Sequence, residues 1–150
     1  MSEKNVIYID AAGHILGRLA SIVAKKLLEG YSVHVVNVEK AVLSGSKQRI
    51  IQGYKLLFKV HTHVNPEKSG VRRPRSPVNI FRRAVRGMLP MNKPCGRLAY
   101  RRLRVYVGIP PELSRVELTK YPDAMYTRLR GKYITVEELS RELGWRGVAK

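Results

Sequence analysis

Three short stretches and one cysteine carry residue types that could do chemistry. Asp10-Ala-Ala-Gly-His-Ile-Leu-Gly17 joins an apolar run to a helical pattern, which is where nucleotide-binding folds cradle phosphate. The dinucleotide fingerprint needs G-x-G-x-x-G, and a P-loop needs G-x-x-x-x-G-K-[ST]. Here only Gly13 and Gly17 occur, and Arg18-Leu19 follows, so no cofactor is expected. The turn then reads either as a tight connection in which Gly17 lets helix and sheet approach, or as a phosphate contact by Arg18 at a helix N-terminus. Ser44-Gly-Ser-Lys47 is a second small turn before a helix. One glycine makes it a weak nest for a free nucleotide, while Lys47 suits an RNA phosphate. His61-Thr-His63 could set two imidazoles on one face of an extended segment. Zinc normally takes three or four ligands and the spacing offers no third, so base stacking or phosphate bonding is expected and metal is not. Cys95 has no histidine near it in sequence, and acids are scarce, so neither a nucleophile with its base nor a carboxylate pair is legible. His14 and His34 read as structural.

The chemistry the chain does offer is charge neutralisation. Lys68, Arg72, Arg73, Arg75, Arg82, Arg83, Arg86, Lys93, Arg97, Arg101, Arg102 and Arg104 follow one another with no Asp or Glu before Glu112. Such a run repels itself unless a polyanion neutralises it. Solvated charged faces usually mix signs or pair Glu with Lys one turn apart, and this one does neither. Ten of the twelve are arginine, whose planar fork suits bidentate phosphate contact and base stacking. Over 150 residues, 29 Lys+Arg stand against 11 Asp+Glu, a formal charge of +18. Nucleic acid is the first partner this implies, RNA above DNA, and a membrane surface the second. One cysteine excludes an intrachain disulfide and fits a reducing cytosol. Residues 1–5 lack a cationic segment followed by an apolar run, so no signal peptide is expected. No stretch approaches the ~18 apolar residues that span a bilayer.

These cations must be held by elements, and the hydrophobic spacing supplies them. Val6–Asp10 reads as a buried strand. Leu16, Leu19, Ala20, Val23, Ala24, Leu27 and Leu28 form one wide apolar helical face over 15–29, with Gly30 at the C′ position. Residues 32–38 are β-branched and read as a second strand, which makes a right-handed βαβ unit with parallel strands. Residues 41–43 suggest a brief third strand. A helix over 47–59 has Ile50, Ile51, Tyr54, Leu57 and Phe58 on one side and Lys47, Arg49, Lys55 and Lys59 on the other. This helix and the first are expected to cover the sheet. Residues 61–78, punctuated by Pro66, Gly70, Pro74 and Pro77, form a basic loop that is expected to order only on RNA. Two basic helices follow, over 79–89 and 96–103. The first aligns Ile80, Ala84 and Met88 beside Phe81 and Val85; the second aligns Arg97, Arg101 and Arg104. Residues 103–107 read as the last core strand. The tail from 110 regains acid and reads as an extended arm packed on the core or a partner. It ends in a capping box, Thr135-Val-Glu-Glu138, before a short helix containing Val136, Leu139 and Leu143. One domain is expected, with a core over 6–109 and a tail over 110–150.

Several of these blocks, in this order, resemble the universal large-subunit ribosomal protein thirteen family. They are Asp10-Ala-x-Gly13-x-x-Leu16-Gly17-Arg18-Leu19-Ala20-Ser21, Val36-Asn37-x-Glu39-Lys40, Ser44-Gly45-x-Lys47, Arg86-Gly87-Met88-Leu89-Pro90 and Leu103-x-Val105-Tyr106-x-Gly108. Only residues 30–32 separate the first helix from the second strand. The insertion of the bacterial members is missing, and the chain looks like the archaeal and eukaryotic branch, on its archaeal side. The resemblance implies an α/β fold, with a mainly parallel sheet of about four strands flanked by helices. It also implies a non-enzymatic role in the large ribosomal subunit, binding 23S-type ribosomal RNA early in assembly beside neighbouring ribosomal proteins in the cytoplasm. The RNA-binding residues are expected to be Arg18, Lys47, Arg49, Lys55, Lys59, His61, His63 and the twelve cations of 68–104. No small-molecule substrate is expected.

Overall fold

Val6–Asp10 (β1) and Ser32–Val36 (β2) pair in parallel from Val6 opposite Ser32 to Asp10 opposite Val36. Leu103–Val105 (β4) adds to the other edge of β2 with Val33 opposite Leu103, so the sheet runs β1-β2-β4 with all strands parallel. The computed structural model describes residues 5–70 and 72–147. Residues 1–4, on which the signal-peptide expectation falls, lie outside it, as do Val71 within the basic loop and 148–150.

The crossover between β1 and β2 is Leu16–Leu28 (α1). Leu16, Leu19, Ala20, Val23, Ala24 and Leu27 are buried, the face the spacing predicts, while Leu28 is exposed. The helix stops in a Schellman pattern: Gly30 N–H donates to the Leu27 carbonyl and Tyr31 N–H to the Lys26 carbonyl. β2 ends two residues before the sequence suggests, because Asn37 turns left-handed (φ 53°) and a 3-10 turn follows over Val38–Lys40. Asparagine tolerates that conformation, and here its side chain also donates to Asp10 at 2.9 Å.

Val42–Ser44 (β3) exists as expected but does not join the parallel sheet. It pairs antiparallel with Tyr133–Thr135 (β5), Val42 opposite Thr135. The parallel sheet therefore has three strands, and the tail supplies the partner of the fourth. The tail also borders β1: Thr119 N–H donates to Tyr8 and accepts from Asp10 N–H through its carbonyl. Val136–Glu142 (α6) begins at Thr135, whose hydroxyl accepts the Glu138 N–H at 3.3 Å. Ile134, Val136, Leu139 and Leu143 are all buried in the common core, so the segment packs on the core.

Four further helices complete the order: Lys47–Lys59 (α2), Pro66–Ser69 (α3), Pro77–Met88 (α4) and Pro94–Arg101 (α5). The helices that pack on α1 and the sheet are α4 and α5, through Ile80, Phe81, Val85 and Ala99. This corrects the expectation for α2. None of its residues is buried; Ile50, Ile51, Tyr54 and Phe58 are half-buried and Leu57 is exposed, and the helix leans on α6. α4 starts two residues earlier than its spacing suggests because Pro77 occupies the first turn behind a Ser76 cap. Met88, expected on the apolar row of this helix, is 44% exposed. In α5, Gly96 is buried where a Cβ would collide with the Pro90 carbonyl, so the chain can fold back over Pro90 only with glycine here.

Candidate nucleic-acid interface

The amides of the turn after β1 are already spent inside the fold, so the turn itself forms no phosphate cradle. Ala11 N–H donates to Val36, Ala12 N–H to the Asp10 carboxylate, Gly13 N–H to Lys40, His14 N–H to Ala11 and Ile15 N–H to Ala124. Five consecutive amides are thus satisfied internally, with none left as an anion nest. Gly13 has φ 73°, and a Cβ there would meet the Tyr126 ring at 3.3 Å, so the tail fills the space above the turn. Burial pushes the Asp10 carboxyl up, but bonds from Asn37, the Ala12 amide and Lys120 outweigh it and hold the group below its ordinary value. His14 is buried, and burial pulls its pKa down. Its Nε2 accepts the Tyr121 N–H at 3.0 Å, which leaves Nδ1 to donate to the Ala12 carbonyl at 3.2 Å. Gly17 has no helix-to-sheet role, contrary to one reading of the turn. It is exposed, with nothing within 4 Å of a Cβ placed on it. Arg18 beside it is exposed on the first turn of α1.

Most of the basic residues form the surface that the fold does hold out to solvent. On α2, the half-buried side faces α6 and the loop, leaving Lys47, Arg49, Lys55 and Lys59 exposed. On α4, burial of Ile80, Phe81 and Val85 turns Arg83 and Arg86 outward. The loop between these helices is tied to both by arginine: Arg75 lies 4.8 Å over the Phe58 ring, and Arg83 donates to the Arg72 carbonyl at 2.8 Å. Lys68, Arg72, His61 and His63 are exposed along it and Arg73 is half-buried. Lys93, Arg97 and Arg101 are exposed on and before α5. Among the described residues, only Lys55 of these thirteen cations has a carboxylate partner, Glu142 at 3.4 Å. No group of three or more His, Cys, Asp or Glu stands close enough among them to hold a metal ion.

Two expected groupings change. Arg104 does not continue the Arg97–Arg101 helical face, because α5 ends at Arg101 and Arg104 lies on β4. Arg102 is half-buried and donates at 2.6 Å to the Leu27 carbonyl, closing the end of α1. Arg82 is also half-buried, 5.4 Å over the Tyr100 ring. Conversely, the β3–β5 pair brings Arg130 and Lys132 beside Lys47, lining one cleft of about 660 Å³ with Tyr133. Both are exposed. The signal for them is the acid-free run from 124 to 136, which the acids on either side disguise.

A family model described as ribosomal protein L13 matches residues 4–112, which is most of the chain. The chain belongs to the ribosomal protein L13 family. It is similar to the large ribosomal subunit protein uL13 of Sulfolobus acidocaldarius, 51% identical over 143 residues that cover 95% of this chain and 96% of that one. The corresponding proteins of Saccharolobus solfataricus and Aeropyrum pernix are 50% and 47% identical, covering 97% of this chain in each case and 97% and 94% of theirs. The family match stops at 112, and these relatives extend the similarity through the tail, where β5 and α6 complete the core. All three relatives are archaeal, in line with the short connection after α1.

Proposed function

We propose that this chain is a structural constituent of the large ribosomal subunit. It binds 23S-type ribosomal RNA through the cations of α2, the 61–76 loop, α4 and α5, supports subunit assembly, and acts as one cytoplasmic RNA-binding domain in which β5 and α6 of the tail from 110 complete the core built over 6–109. The observation that carries this reading is a broad surface of α2, the loop, α4 and α5 on which twelve of thirteen cations lack a carboxylate partner among the described residues. Membership of a ribosomal protein family supports ribosomal RNA as the polyanion. Arg18, Lys47, Arg49, Lys55, Lys59, Lys68, Arg72, Arg73, Arg75, Arg83, Arg86, Lys93, Arg97, Arg101 and Arg104 meet phosphates, and His61 and His63 meet bases or phosphates. Arg82 and Arg102 work through the scaffold that positions them. Recognition is of backbone and shape, since A-form grooves hide base edges from side chains. Neighbouring large-subunit proteins are the remaining partners. No enzymatic step is assigned.

The test is affinity for large-subunit ribosomal RNA against random-sequence RNA of equal length as salt is raised. A preference that persists near ~200 mM salt, where purely electrostatic binding fades, supports the reading. Equal, steeply salt-dependent binding to both would make the chain a general nucleic-acid binder.

A further inference from the structure

Parallel sheets are normally covered on both faces, and this one is covered on one face along its whole length but on the other only at the strand ends. Ile9, Val33, Val35 and Leu103 point into the helices and are no more than 2% exposed. The alternate residues face the other way: Asp10 and Val36 at the strand ends are buried, but Tyr8 and His34 are half-buried, Arg104 is exposed, and Val6 is 37% exposed. Register sets Tyr8, His34 and Arg104 side by side across the three strands. Tyr106, just beyond β4, adds a third ring. The His34 and Tyr106 rings stack at 5.9 Å with 24° between planes, and Tyr8 lies 5.2 Å from His34 on its other side. Beside this row the strand starts open into a cleft of about 660 Å³, lined by His34, Arg101 and Arg104. Its one carboxylate, Glu29, is held by Lys26 at 2.9 Å.

We propose that this open sheet face is a second RNA contact, on which an unpaired base stacks against the Tyr8–His34–Tyr106 row while Arg101 and Arg104 hold its phosphates. The inference rests on the RNA-binding reading and deepens it, because the basic helices meet duplex backbone whereas a ring platform selects unstacked nucleotides. Charge complementarity favours RNA over a protein segment here: the free cations of the cleft face no uncommitted carboxylate. Burial and Arg104 both pull the His34 pKa down, which keeps the imidazole neutral and suited to stacking.

The test irradiates the intact chain in complex with large-subunit ribosomal RNA at 254 nm and maps the crosslinked peptides. In parallel, binding of an eight-nucleotide oligoadenylate is measured for the native chain, Tyr106→Leu and Arg104→Gln. Crosslinks at Tyr8, His34 or Tyr106 are expected, with a roughly five- to hundredfold loss of oligoadenylate affinity for Tyr106→Leu. Arg104→Gln, a change to an exposed side chain, should lower the salt slope by ~0.7 even if Tyr106→Leu fails to fold. Crosslinks confined to α2, α4 and α5, with both variants binding oligoadenylate like the native chain, would overturn the proposal and leave the first reading standing. So would crosslinking of the sheet face to a protein neighbour in a reconstituted subunit. If ribosomal RNA is not preferred at all, the first reading fails by itself, and the oligoadenylate measurement still decides the platform.

Discussion

Gly96 and Gly53 show how differently a glycine can be used within a helix. A methyl on Gly96 would run into the Pro90 carbonyl, whereas one on Gly53 meets nothing within 4 Å. Gly96→Ala should cost about 1–3 kcal/mol or more through overpacking, and Gly53→Ala should gain ~0.5–1 kcal/mol from helix propensity. Urea denaturation checks both; equal effects would mean that α5 does not press on Pro90. His14 makes a second prediction. Its folded pKa lies below the ordinary 6.5, so the unfolded chain takes up a proton that the folded chain resists. The stability this group contributes is complete above that value and drains as pH falls below it. His34 shifts in the same direction and adds to the effect, while Asp10, held below 3.8, acts only in stronger acid. Melting temperature should therefore fall between about pH 7.5 and 5, and less steeply in His14→Asn; a temperature that rises over that interval would contradict the neutral, buried imidazole. At this scale the sequence shows which residues are cationic and hides which are free. Arg102 on the Leu27 carbonyl and Arg82 over Tyr100 are spent on neighbours that only folding brings near.

Elements divide by whether their partner is local. α1 is legible because its apolar face is wide and its cap lies in the next two residues. The apolar side of α2 is equally plain, but the spacing gives no target, and the helix turns to α6 and the loop, not the sheet. β3 is similar: its partner β5 lies some ninety residues on, a distance across which no pattern in three residues can reach. The tail's membership of the core is measurable. Leu139→Ala should cost about 2–5 kcal/mol, as for any fully buried leucine, whereas Leu56→Ala at a 63% exposed site should stay within ~0.5 kcal/mol. Comparable, small losses would detach α6 from the fold. The loop over 61–76 carries few buried side chains and is fastened mainly by Arg75 and Arg83. Its amides should exchange quickly in the free chain and slow on RNA, read by hydrogen–deuterium exchange.

For the whole molecule, +18 charges on 150 residues are tolerable because the hydrophobic core is built by β1, β2, β4, α1, α4, α5 and α6, and the cations ride outside it. Self-repulsion of the free chain and affinity for RNA are then two consequences of one arrangement. The family and the α/β order are legible because blocks in register survive in the chain itself. The partial covering of the second sheet face is not, because strands this short and β-branched look alike in sequence whether one face is covered or both. Most direct is the slope of log K against log salt for large-subunit ribosomal RNA, native against Arg83→Ala, Arg86→Ala and Arg97→Ala combined, after circular dichroism has verified the fold. If these exposed guanidiniums meet phosphates, the slope flattens by roughly 0.7–0.9 for each phosphate left without its arginine. An unchanged slope and affinity would take α4 and α5 out of the interface and contradict the placement of RNA on the basic helices.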